Sequence, residues 1–322
     1  MKQIICALIL GLTFAAQADL KDVFTKIPQK FDVVMKLDLQ KLLMVKQISD
    51  KIVNNTQYKE MQKSLKEKLN LTDKDILSVY LCGNTKQYYN LSYKDMQSTL
   101  FDSLVIVELA KELDFEDVKK QLPKNAKVKI INGINCIAVE NKQMRNPHAA
   151  FITPKMIMIC PDYGLKALLP LKPENSILKN TKIVEMLKEN GFGGIVSIVH
   201  AGTLQKVPPM APWLSDYRGG TFNLYYDESK GLDVELSTNY KTIESVKNAS
   251  IMVGMGLNFL DMKPELKEFK ELVKFRVLEN NLYIDFNVSP TMMKKMEKMV
   301  NSRRERFQKR RPTKTQTEKA PK

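Results

Sequence analysis

Two short segments constrain the fold of this 322-residue chain more than any others. KVKIINGINCIAV (127–139) reads as strand, Asn132-Gly133, strand, and VKFRVLENNLYIDF (273–286) reads as strand, Asn280-Asn281, strand. A tight hairpin turn needs positive φ at its centre, which Gly adopts without steric cost and Asn tolerates. Each segment is therefore expected to form an antiparallel hairpin, turning at Asn132-Gly133 and Asn280-Asn281.

The elements ahead of each hairpin follow one order. YKEMQKSLKEKL (58–69) and TKIVEMLKEN (181–190) are amphipathic helices, followed by the strands DILSVYLCG (75–83) and GGIVSIVHAG (193–202). Each strand opens into a long loop, 84–102 and 203–219, which returns through SLVIVEL (103–109) or TFNLYYD (221–227). FDVVMKLDLQKLL (31–43) and MIMICPDYGLKALL (156–169) begin the two copies as strand then helix, with Asp38 and Asp162 as N-caps. The second copy adds the strand GLDVELS (231–237) and a helical region, 240–273, broken near Pro264. The pattern predicts an α+β fold: an internally duplicated unit of mixed, mainly antiparallel sheet with packed helices, and a basic, disordered C-terminal tail. The expected divisions are a signal peptide (1–18), a first repeat (19–148), a second repeat (149–301) and the tail (302–322).

The first eighteen residues give an address. Lys2 precedes an apolar run, Ile4 to Phe14, and Ala16-Gln17-Ala18 sets small residues ahead of Asp19. Cleavage between Ala18 and Asp19 would leave a secreted or periplasmic protein. The run is short for a membrane span, and no transmembrane segment is expected in the mature chain.

The formal charge of +15 is concentrated at the C-terminus, where Lys294 to Lys322 holds twelve Lys/Arg against three Asp/Glu. The nearly balanced body does not read as a nucleic-acid surface. Arg303, Arg304, Arg306, Lys309, Arg310 and Arg311 make a dense cationic segment, a candidate for an anionic lipid, glycan or nucleic acid or else a solvated end. After Pro312 the composition favours disorder. Cys82, Cys136 and Cys160 lie in apolar runs and read as buried small hydrophobes, with a Cys136–Cys160 disulfide as the alternative.

No catalytic, metal or cofactor motif emerges. Ser197 and His200 fall on opposite faces of one strand, and His148 sits beside Pro147 without an acidic neighbour. Gly191-Phe192-Gly193-Gly194 runs from helix to strand, the reverse of a phosphate loop, and reads as a helix C-cap. Met292, Met293, Met296 and Met299 share a helical face, which is core spacing rather than a soft-metal site. The candidate binding loops carry Tyr88, Tyr89 and Tyr93, and Trp213, Tyr217 and Arg218, with burial of these rings over the sheet as the competing expectation. The sequence thus leans away from an enzyme and towards a non-catalytic, extracytoplasmic protein acting by surface binding. The alternatives are a hydrolase with acid/base residues from separated loops, and an apolar-ligand carrier.

Overall fold

Both hairpins form, and they occupy the two opposite edges of a single sheet. The structure is a computed structural model describing residues 20–84, 104–122, 124, 126–139, 147–161, 173–203, 212–262 and 267–298. In chain order the N-terminal elements are α1 (Leu20–Phe24), β1 (Val33–Asp38), α2 (Leu39–Met44), α3 (Lys46–Val53), α4 (Thr56–Leu69), β2 (Ile76–Gly83), β3 (Leu104–Leu109) and α5 (Phe115–Lys120). There follow β4 (Ala126–Ile131), β5 (Ile134–Val139), β6 (Pro147–Thr153), β7 (Met156–Pro161), α6 (Thr181–Asn190), β8 (Val196–His200), β9 (Tyr217–Asp227) and β10 (Gly231–Tyr240). The chain continues through α7 (Ile243–Asp261), α8 (Lys267–Leu272), β11 (Val273–Leu278), β12 (Asn281–Val288) and a helix over 290–298, α9.

The twelve described strands make one sheet in the order β11-β12-β10-β9-β8-β1-β2-β3-β7-β6-β5-β4, and every neighbouring pair is antiparallel. The edge strands β4 and β11 carry Lys127, Lys129, Lys274 and Arg276, charges of the kind that discourage edge-to-edge pairing.

Around β2 and β3 both faces of the sheet are dry. One face presents Val34, Tyr80, Cys82, Leu104, Ile106 and Met158 to a layer that includes Phe24, Ile27, Ile183 and Phe192, brought by α1, α6 and their flanks. The other presents Val79, Val105, Val107 and Ile137 to Leu39, Tyr58, Leu65 and Val118 from α2, α4 and α5. Strands buried on both sides need apolar residues at successive positions, which is why β2 and β3 read as nearly continuous apolar runs. Towards β10 and β12, among the described residues, helices cover only the second face: Val246, Ala249 and Val253 of α7 pack on Tyr240, Leu282 and Ile284. The outer side of α7 leaves Ile251, Met255 and Phe259 exposed.

The α+β class and the mainly antiparallel sheet agree with the expectation from sequence. A repeat relation between the halves is not established by the strand order. β1 pairs with both β2 and β8, whereas β7, its expected counterpart, lies between β3 and β6 and away from β8. The expected boundary at 148 falls inside β6, whose partners are β5 and β7. The first hairpin turns at Asn132 and Gly133, with φ of 52° and 78°. The second turns one residue earlier than expected: Leu278 pairs with Asn281, so Glu279 and Asn280 form the turn, and Glu279 has φ of 52°. Pairing sets that register by placing Phe275 opposite Ile284 on the face that α7 covers, and the turn takes the residues left over.

Other local expectations hold. Asp38 caps α2 by accepting from the Lys41 N–H at 3.2 Å. Gly191, with φ of 68°, ends α6 and returns its N–H to the Leu187 carbonyl. Cys82, Cys136 and Cys160 are buried thiols with no disulfide among them, and Cys136 and Cys160 stand two strands apart on β5 and β7. His148, expected in a loop, is buried within β6 opposite Cys160. Met296, expected in the core, is exposed, because no described element packs over that side of α9.

Candidate functional site

The uncovered face of the C-terminal half is built by simple alternation. On β10, Asp233, Glu235 and Ser237 project to one side while Val234 and Leu236 project to the other. Cross-strand pairing aligns this polar side with Thr221 and Asn223 of β9 and with Tyr283 and Asp285 of β12. It is the same face that α6 covers further along the sheet. The helix stops at Asn190, and Gly191 turns the chain away; Thr221, Asn223 and Ser237 are buried near its end, and among the described residues no helix covers Glu235, Tyr283 and Asp285 beyond it. The result is a groove of about 560 Å³ between the end of α6 and the strands β9 to β12.

The charge of this groove opposes that of the chain. Among the described residues, Glu189, Glu235, Glu279 and Asp285 line it against one cation, Arg276. That cation is already engaged: its guanidinium donates to Asp285 at 3.1 Å and lies 4.9 Å from the centre of the Tyr283 ring. The C-terminal end of α6 adds the negative pole of a helix. Burial holds the Glu235 carboxyl above the ordinary carboxylate range, a hydrogen bond from Tyr225 opposes the shift, and the charges of Asp233 and Asp285 add to it. The Tyr225 hydroxyl is pushed up to about 12, by burial first and by Glu235 next. Asn223, 1% exposed and opposite Glu235 in the register, lies beside the groove and is not part of its lining. Its amide nitrogen donates to the Asn190 carbonyl at 3.0 Å, while its oxygen is buried without a donor. The lining carries an excess of negative charge, so its complement carries positive charge. Among the described residues, no three His, Cys, Asp or Glu side chains converge as a metal cage.

A second polar cluster lies under the helices at the middle of the same face. Lys36, Tyr80 and Glu108 are all buried there, and the Tyr80 hydroxyl donates to Glu108 at 2.8 Å. Burial lowers the Lys36 pKa and raises that of Glu108, and the two opposite charges partly offset these shifts. With helices over it, this arrangement links β1, β2 and β3 rather than facing a ligand.

The residues expected from sequence to bind fall elsewhere. Tyr217 begins β9, half-buried; its ring stacks on His200 at 5.5 Å, and its hydroxyl lies 3.1 Å from His200 Nδ1. Arg218 is also half-buried, donating to the Tyr217 carbonyl at 3.0 Å and reaching Asp216 at 3.8 Å. Neither lines the groove. The loop expected over 203–219 ends earlier, because Pro212–Asp216 forms a 3₁₀ turn leading straight into β9. Trp213 belongs to that turn, and its side chain lies outside the described residues. So do Tyr88, Tyr89 and Tyr93, the leader with Ala18 and Asp19, and the tail residues Arg303, Arg304, Arg306, Lys309, Arg310 and Arg311. Ser197 and His200 stand on opposite faces, as expected: the buried Ser197 hydroxyl accepts from the Gly194 N–H at 3.0 Å, away from the His200–Tyr217 pair.

No sequence motif singles out the groove residues Glu235 and Asp285. Their signal was the alternation in GLDVELS, which places acidic and hydroxyl residues on one face of a long strand. What the alternation lacked was the partner strand, since the alignment of Glu235 with Asp285 joins positions fifty residues apart.

No protein-family profile matches the chain, and no curated protein does. Among solved structures, one similar chain is described as "Structure of crystal form I of TP0453", with 11% sequence identity and a TM-score of 0.42. The alignment covers 87% of this chain and 96% of that one. A likeness at this level carries no argument, and no described helix is long and apolar enough to cross a membrane.

Proposed function

We propose that this protein is an extracytoplasmic binding protein whose recognition surface is the acidic groove over β9 to β12, and that its ligand is a basic peptide segment. The observation that carries the reading is the opposition of charge: four carboxylates against one already paired guanidinium, in a chain of net charge +15. Guanidinium and ammonium groups would relieve the mutual repulsion around Glu235. The leader pattern at residues 1–18 supports a location outside the cytoplasm. The test is anisotropy of labelled hexa-arginine with the wild-type chain and with Glu235→Gln, Glu279→Gln and Asp285→Asn. Each substitution should weaken binding by about threefold, the size expected of a partly solvated charge pair. Binding that none of them changes would remove the groove from consideration.

One observation favours a second reading, a hydrolase. Glu235 and Asp285 face each other across adjacent strands, Glu235 with a raised pKa and Asp285 ion-paired to Arg276. Such asymmetry suits a general acid beside a carboxylate base, supplied here by strands rather than by loops. Turnover of chromogenic glycosides that Glu235→Gln abolishes would establish it.

A further inference from the structure

We propose that the groove's resident occupant is the chain's own basic tail, residues 303–311, which competes with external basic peptides and so sets the protein's affinity for them. The inference rests on the reading of the groove as a cation-binding surface and adds its regulation.

Two observations lead to it. The first is charge. Arg303, Arg304, Arg306, Lys309, Arg310 and Arg311 face only Glu305 within the segment, the reverse of a groove that holds four carboxylates and one paired cation.

The second is position. The Lys295 ammonium on α9 pairs with Glu268 of α8 at 2.6 Å, and α8 runs directly into β11. β11 is the edge strand that supplies Arg276 and Leu278 to the groove. The tail thus departs from the sheet edge at which the groove lies. An extended chain spans about 3.4 Å per residue, so the five residues from 298 to 303 cover about 17 Å and the thirteen to 311 about 44 Å. From β11 to β10 is two strand spacings, about 10 Å. The tail can pass around the edge strand and lie along the groove with several residues to spare.

A segment tethered at such short range has an effective concentration in the millimolar range, so weak individual ion pairs suffice to keep it bound at low salt. Screening releases it as ionic strength rises. The groove is then closed to weak cationic ligands and open to those that outcompete a tethered rival.

The experiment compares two full-length chains, the wild type and a variant in which Arg303, Arg304, Arg306, Lys309, Arg310 and Arg311 are all changed to Gln. Binding of labelled hexa-arginine is measured for both at low and moderate salt, and at two protein concentrations. The proposal expects the variant to bind about tenfold more tightly at low salt, with the gap narrowing as salt rises. Equal binding by the two chains overturns the tail's role and leaves the groove reading standing. Absence of binding by both overturns the two together. A gap that grows with protein concentration assigns the tail to the groove of a second copy and overturns the intramolecular form.

Discussion

The strands at the middle of the sheet and those towards its β11 edge obey the same chemistry under different cover. On β3, from Leu104 to Leu109, every residue is buried, Glu108 included, because helices lie on both faces. On β10 the covered side holds Val234 and Leu236, and the open side holds Asp233, Glu235 and Ser237. The difference teaches where a ligand can act. In the double-covered region Glu108 takes a hydrogen bond to one oxygen from the buried Tyr80 hydroxyl. In the single-covered region Glu235 and Asp285 also have partners, Tyr225 and Arg276, yet carboxylates outnumber cations in the groove lining, and that excess is available to be relieved from outside.

The contrast is sharpest in stability. Ile106 is fully buried between the sheet and the α1–α6 layer, so Ile106→Ala should cost about 3 kcal/mol in denaturant unfolding, the usual price of emptying a packed site. Leu236→Ala, at a half-buried position, should cost about 1 kcal/mol. Equal losses at the two sites would break the distinction between the regions.

A smaller effect lies in the hairpins at the two edges. Glu279 holds a positive φ that suits Gly, whereas Asn132-Gly133 already meets the demand of its turn. Glu279→Gly should therefore stabilise the protein by about 0.5–1 kcal/mol, and Gly133→Ala should destabilise it by about 1 kcal/mol, both read from the unfolding midpoint. Loss of stability in Glu279→Gly would mean that the turn is not where the strand register puts it.

The pH dependence is the smallest effect and belongs to the open face. The Glu235 pKa is raised in the folded state, chiefly by burial. Its ionisation penalty is absent below the unfolded value, about 4.3 for Glu. The penalty grows as pH rises through that value and is complete above the folded one. The advantage of Glu235→Gln over wild type should therefore appear as pH rises through this window and then level off. A constant difference at all pH values would show that the Glu235 pKa is not raised by folding.

Much of this fold was legible in the amino-acid sequence, because the signals were local. Asp38 as a cap, Gly191 as a helix stop and Asn132-Gly133 as a turn each act within a few residues, and each stands where expected. What was not legible depended on pairing. The position of β7 between β3 and β6 follows from which strands meet, and strands of the same apolar composition could have met otherwise. The groove was hidden for the same reason, since neither GLDVELS nor NLYIDF is notable alone. The aromatic loop residues drew attention by residue type, yet Tyr217 spends its ring on His200 and Tyr240.

The central claim is that basic peptides bind on the open face of β9 to β12, and carbodiimide footprinting of carboxylates tests it most directly. The full-length chain with its tail cations changed to Gln is labelled with and without excess hexa-arginine, and modification is read residue by residue by mass spectrometry. The account predicts protection of Glu235, Glu279 and Asp285, with Glu116 and Asp117 on the exposed surface of α5 unchanged. Protection of Glu116 and Asp117 to the same degree, or none at Glu235 and Asp285, would contradict it.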